Sequence, residues 1–145
     1  MVVGIVAAIP PFVFFVWTLS SNLQLCSHHR HLFESLLRPL FGNWSVLQLF
    51  VISVIAGISE EAFFRGAIQG SLADRVNLIL ALVLASALFG AAHRLTWTYA
   101  IIAALIGLYL GFLWMGTGNL LTPMITHAVY DFAALVYFLR IYRSK

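Results

Sequence analysis

Read for hydropathy, the chain divides into five long apolar runs, at about residues 1–19, 46–72, 78–92, 97–115 and 120–139, separated by polar stretches. Most approach the roughly 20 residues that an α-helix needs to cross a bilayer core. The run over 78–92 is short as counted, and is expected to extend toward His93 or to tilt little. The runs are too long and too continuously apolar for barrel strands. Inside hydrocarbon a helix satisfies its own backbone hydrogen bonds, so helix is the predicted form. The pattern therefore predicts an all-α, polytopic membrane helix bundle of about five transmembrane helices, folded as a single membrane domain over 1–145. Pro10 and Pro11, in the middle of the first run, should kink it.

Composition strengthens the membrane reading: 62% of residues are hydrophobic, 9% are charged and the mean hydropathy is +0.98. Trp17, Trp44, Trp97 and Trp114 all fall near predicted helix ends, where an amphipathic ring anchors at the headgroup layer. Arg30 and Arg38 lie in the loop over 20–43, Arg94 follows the third run, and Arg140, Arg143 and Lys145 end the chain. Five crossings put all six on one side, with only Arg75, beside Asp74, opposite. The positive-inside rule then places the C-terminus in the cytoplasm and Met1 outside. The net charge of +3 is accounted for by this asymmetry and calls for no nucleic acid. Met1-Val2-Val3-Gly4 lacks the basic start of a secretory signal, so the first span is expected to be retained. Cys26 is the single cysteine and is read as an inert loop residue, with His28, His29, Arg30 and His31 as a solvated cytoplasmic loop. Short loops without paired cysteines suit a bacterial inner membrane. Gly66 and Gly70, and Ala103, Gly107 and Gly111, recur at four-residue spacing and are read as close-packing points.

Polar residues inside the runs carry the chemistry. Each ionised side chain near a bilayer centre costs about 2.5–3.5 kcal/mol even on a lenient scale, so Glu60, Glu61, Arg65 and Asp131 unpaired would cost on the order of 10 kcal/mol together. That is more than helix adhesion explains, and it marks a functional site. Glu61 and Arg65 are four apart and share a helix face, which favours an ion pair. Glu60 points about 100° away, without that arginine. Burial lacking a partner would favour its neutral form, and a weakly acidic carboxyl suits a general base. Phe89 lies one turn before His93, and His127 and Asp131 share a face of the last run. Base and donors together are what hydrolysis in a dry site requires. Glu60, His93 and His127 could instead ligate zinc, although no His-Glu-x-x-His frame is present. The same residues could relay protons in a small transporter, although nothing here shows a repeat.

The series Glu-Glu-x-x-x-Arg, Phe-x-x-x-His, His-x-x-x-Asp, in order and each on an apolar run over 44–140, resembles the CPBP family of intramembrane proteases. That family takes in the CAAX prenyl protease type II-like, abortive-infection and bacteriocin-processing enzymes. The motifs are 33 residues apart from Glu60 to His93 and 34 from His93 to His127. The resemblance implies an intramembrane endopeptidase with its catalytic core over 44–140. In it Glu60 and His93 activate water, and His127 and Asp131 stabilise the oxyanion. Glu61, Arg65 and Phe89 support them. No cofactor is implied beyond zinc, which the family's metalloprotease label keeps as the alternative. The implied partners are the bilayer and a membrane-embedded or membrane-surface peptide, such as a prenylated CAAX tail or a bacteriocin-type precursor. A catalytically idle bacteriocin-immunity or scaffold protein keeping the motifs is the non-enzymatic alternative. Two features depart from the family. Asp131 stands where relatives often carry Asn, and must be protonated to donate a hydrogen bond, or else orients His127. Relatives also often have further upstream helices, which makes this a minimal member or a fragment.

Overall fold

The computed structural model describes residues 1–21 and 23–142, with all side chains among them except those of Leu25, His28 and His29. Among the described residues there are helices and no strand. The first run is broken. Helix α1 (Val2–Val6) ends at Ala7 and Ala8, and α2 (Ile9–Ser20) restarts with Pro10 and Pro11 in its first turn. The expected bend therefore falls just before the prolines, because a missing N–H is tolerated only where no intrahelical bond is required. Pro11 has no proton for the Ala7 carbonyl one turn back, and Tyr109 Oη donates to that carbonyl at 2.8 Å. Ala8 N–H is turned to Ile5, and Thr126 Oγ1 donates to the Gly4 carbonyl at 2.9 Å. Hydrocarbon offers no other donors. Tyr109→Phe is expected to cost about 1–2 kcal/mol of stability, read by reversible unfolding in bicelles, since it orphans the buried Ala7 carbonyl.

Residues 24–41, expected as a loop, are helical: α3 (Gln24–Leu32), a wide π-type segment Phe33–Leu37 and α4 (Arg38–Phe41). Phe33, Leu37 and Phe41, each four residues on, pack into an aromatic cluster with Phe15 and Phe138. The Phe33 ring lies 5.5 Å from Phe15 and 5.8 Å from Phe138. This apolar stripe on a polar segment pulls it against the bundle as a helix. Cys26 is consequently a buried helical residue, not a loop residue. His31 is exposed. The side chains of His28 and His29, like Arg143 and Lys145, lie outside what is described. Arg30 donates to the Leu19 and Ser21 carbonyls, Arg140 to those of Gly42 and Trp44, and Arg38 sits 5.0 Å over the Phe138 ring. These three arginines gather at one end of the bundle.

Helix α5 (Val46–Glu61) opens with a capping box between Ser45 and Gln48 and runs on through a π-type segment, Ala62–Gln69, into α6 (Gly70–Ala73). Helix α7 (Leu78–Ala92) is capped by Asn77 and α8 (Trp97–Thr117) by Thr96. Helix α9 (Leu121–Val136) continues through Tyr137–Ile141. Four stretches, Val2–Ser20, Val46–Ala73, Trp97–Thr117 and Leu121–Ile141, are long and apolar enough to cross a membrane. Helix α7, at 15 residues, spans only about 22 Å and covers the run as counted, with His93 as its C-cap. The chain is thus a multi-pass membrane bundle of about five helices.

Its core sets a few polar side chains among aromatic, aliphatic and small residues, and much of its surface is apolar. On α5, Leu49, Ser53, Gly57 and Glu61 are buried at four-residue spacing, while Leu47, Phe50, Val51, Ile55 and Ile58 face outward. A Cβ at Gly57 would stand 2.7 Å from Ala128 N and 2.8 Å from Met124 O, so α5 and α9 touch backbone to backbone. Gly90 does the same for α7 against Ala100 and Ala104 of α8. Close backbone approach through small residues is how membrane helices gain packing without a hydrophobic drive between them. The Leu49–Glu61 stripe ends by delivering a carboxylate to α9.

Candidate active site

Glu61 is fully buried, and its Oε1 accepts from two cations or donors at once: Arg65 Nη1 at 3.0 Å and His127 Nδ1 at 2.9 Å. Arg65, also buried, donates through Nη2 to the Gly107 carbonyl at 2.7 Å and lies 4.7 Å over the Phe89 ring. A Cβ on Gly107 would stand 3.2 Å from Arg65 Nη2 and 3.3 Å from Ser86 Cα. This glycine, expected as a packing point, therefore also opens a backbone acceptor to the guanidinium. Helical spacing anticipated the partnership of Glu61 with Arg65. That Glu61 also holds His127 was not legible, because the contact joins residues 66 apart in sequence.

Glu60, turned away from Arg65 on α5, meets a neighbour on another helix. Its Oε2 faces His93 Nε2 at 3.3 Å. His93 caps the end of α7, and its Nδ1 lies 2.8 Å from the Phe89 carbonyl. A carbonyl only accepts, so Nδ1 carries a proton, and the contact of Nε2 with the Glu60 carboxylate is held by a second proton shared between them. Phe89 stacks on His93 with centroids 4.3 Å apart, meets His127 edge-on at 6.0 Å and Phe64 at 5.0 Å. One ring thus fixes the positions of Arg65 and both imidazoles. The end of α7 at Ala92 places His93 opposite Glu60.

His127 Nε2 lies 3.4 Å from Asp131 Oδ2, longer than a well-formed hydrogen bond, and both side chains line an open space. The space is a cavity of about 100 Å³, lined by Glu60, Phe89, His93, His127 and Asp131 together with Thr18, Tyr99 and Tyr130. At roughly 30 Å³ per water it has room for a few water molecules among polar partners. Glu60, His93, His127 and Asp131 therefore share one chamber, while Glu61, Arg65 and Phe89 stand behind it.

Sequence reasoning missed Tyr99, Tyr130, Gln69 and Ser86. Gln69 is buried beside Gly111 and extends the four-residue series Glu61, Arg65, Gln69, which was a usable signal. Tyr130, next to Asp131 and three after His127, had a weaker one, and Tyr99 had none. As a metal centre the arrangement is unsuited: each imidazole nitrogen is directed at a carboxylate or carbonyl in a pairwise contact. Among the described residues no three of His, Cys, Asp and Glu are placed to hold a metal ion.

The model of the type II CAAX prenyl endopeptidase Rce1-like family matches residues 42–133, the stretch that contains every charged residue of the chamber. Over 113 residues the chain is 28% identical to YpbD, an uncharacterized protein of Bacillus subtilis (strain 168). That match covers 74% of this chain and 56% of YpbD, so the chain spans about half the length of the curated relative it matches. No solved structure matches the chain. With its motifs converging on one intramembrane chamber and the family model covering well over half its length, the chain belongs to the type II CAAX prenyl endopeptidase Rce1-like family, a family of proteases.

Proposed function

We propose that the protein is an intramembrane endopeptidase in which Glu60 and His93 hold and deprotonate the attacking water and His127, set by Glu61 and Asp131, supports the oxyanion. The observation that carries this reading is the facing of Glu60 Oε2 and His93 Nε2, from two different helices, at 3.3 Å on the wall of the chamber. A water in the chamber beside this pair donates a hydrogen bond to the Glu60 carboxylate and keeps a lone pair for attack. Its oxygen bonds to the scissile carbonyl carbon as Glu60 takes the proton, and the carbonyl electron pair moves onto oxygen. His127, donating through Nδ1 to Glu61 and carrying a proton on Nε2, presents that proton to the new oxyanion. The proton held by Glu60 and His93 then passes to the amine nitrogen as the C–N bond breaks.

On this reading the mechanism requires no metal, the substrate is a membrane-embedded or membrane-surface peptide such as a prenylated CAAX tail or bacteriocin-type precursor, and the arginine-rich end of the bundle lies in the cytoplasm. Purified protein in vesicles is expected to hydrolyse quenched-fluorescent membrane peptides at a rate unchanged by chelators. Loss of activity on chelation, restored by zinc, would overturn the metal-free mechanism, and failure to cleave any peptide would favour the idle-scaffold reading. Asp131 is assigned an orienting and hydrogen-bonding role beside His127. Asp131→Asn is therefore expected to keep turnover within about tenfold, and Asp131→Ala to lower it about 10²-fold, in the range of a lost oxyanion donor. Equal losses in the two variants would show that the negative charge, and not the hydrogen bond, is what matters.

A further inference from the structure

We infer that the outer face of α7 and α8 holds one anionic phospholipid, with its acyl chain in a groove between the two helices and its phosphate on Arg94. The groove measures about 500 Å³, and its floor is made by Ala87, Gly90 and Ala91 of α7 with Ala100 and Ala104 of α8. It stays open because no side chain on that floor is larger than a methyl group. A Cβ at Gly90 would stand 2.5 Å from the Ala100 carbonyl oxygen and 2.8 Å from the Ala104 Cβ, so the two backbones meet at the bottom. Ala87, Ala91 and Ile101 are exposed, which turns the groove toward lipid. It shares no lining residue with the catalytic chamber, so the inference stands apart from the hydrolase reading.

Charge and depth choose the occupant. Arg94 and Trp97 line the mouth, with the guanidinium 4.9 Å from the indole centroid. Among the described residues Arg94 pairs with no carboxylate. The ring holds the guanidinium by its face and leaves its N–H donors for phosphate oxygens, which an arginine grips in pairs. Tyr99, two residues beyond Trp97, meets Phe33 of the segment over 24–41 with centroids 6.3 Å apart, so the groove opens at the arginine-bearing end of the bundle. Basic pockets between membrane helices at such an end select acidic headgroups. Helix α7 spans about 22 Å, less than the roughly 30 Å of a hydrocarbon core, so the bilayer thins beside it and headgroups sink toward Arg94. From Arg94 to Ala87 the groove runs along α7 for about 10 Å, a length that the upper part of one acyl chain fills. A second copy of the chain packed through the same face would bring another Arg94 to the mouth, and like charges oppose that.

The test places the protein in phosphatidylcholine nanodiscs that carry a small fraction of lipid brominated on its acyl chains, either phosphatidylglycerol or phosphatidylcholine. Bromine quenches tryptophan fluorescence on contact, and the share belonging to Trp97 is the difference between the parent and Trp97→Phe. Brominated phosphatidylglycerol is expected to quench Trp97 at about one-fifth the concentration that brominated phosphatidylcholine needs, the preference one arginine near an acidic headgroup confers. Arg94→Gln should abolish that preference and Arg94→Lys should keep part of it. Ala91→Leu, which fills the groove and leaves the charge, should abolish it too. If Ala91→Leu does not fold, Ala87→Leu fills the same groove from another exposed position. Equal quenching by the two lipids in the parent would overturn the site, as would a preference that survives Arg94→Gln. A preference lost in Arg94→Gln but kept when the groove is filled would reduce it to surface attraction and overturn the chain-binding groove. Displacement by free glycerol phosphate would assign Arg94 to a soluble anion instead of a lipid. Protection of Trp97 from both lipids in discs that hold two copies would put a second chain there and equally overturn the inference.

Discussion

Glu60→Gln is expected to lower peptide turnover about 10³-fold, within the 10²–10⁴ range for loss of a positioned proton acceptor, while leaving the fold intact. The substitution keeps shape and hydrogen-bonding capacity but replaces an acceptor of protons with an amide. Water held in the chamber beside Glu60 would then have no carboxylate to take its proton. Stability should change little, because Glu60 is about a third exposed and its contact with His93 is a long 3.3 Å. Its neighbour Glu61, by contrast, has no exposed surface. The readout is initial rate on a quenched membrane peptide beside thermal unfolding of the same preparation. Turnover within tenfold of the parent would remove Glu60 from the chemistry.

Arg65→Met should destabilise the protein by about 3–5 kcal/mol, the usual penalty for leaving one member of a buried ion pair without its counter-charge. Arg65 and Glu61 have side-chain exposures of 1% and 0%, and the guanidinium also donates to Gly107 and covers Phe89. Removing it strands the Glu61 carboxylate with His127 alone. Combining Arg65→Met with Glu61→Gln should recover most of the lost stability, because neither charge is then buried unpaired. Activity should not recover with it, since His127 Nδ1 would face an amide instead of the carboxylate that fixes its donor. Arg65→Lys is expected to rescue poorly, because an ammonium cannot span Glu61 and the Gly107 carbonyl in one planar fork. The measurement is unfolding in bicelles for the four proteins of the cycle. A single-mutant loss below about 1 kcal/mol would show that the pair is incidental to the fold.

These expectations depend on contacts of different legibility. The Glu61–Arg65 pair and the shared face of His127 and Asp131 follow from four-residue spacing within one helix, and the structure places both pairs within 3.4 Å. The helical character of residues 24–41 was hidden by three histidines and an arginine, although Phe33, Leu37 and Phe41 already marked a buried stripe. The break at Ala7–Ala8 was signalled by two prolines, but not the Tyr109 hydroxyl that answers the freed carbonyl from 102 residues away.

By itself the sequence determined that this is a membrane helix bundle, where its apolar segments lie and which few charged and imidazole residues fall inside them. The reason is that hydrocarbon penalises every unpaired polar group, so composition and period leave little freedom. Only the tertiary structure decided that Glu61 serves His127 as well as Arg65 and how closely Glu60 and His93 are set against each other. Periodicity tells which face of its own helix a residue occupies. Which helix that face meets, and at what height, is set by backbone contacts at Gly57 and Gly90 and by where α7 stops, and those exist only once the helices are packed.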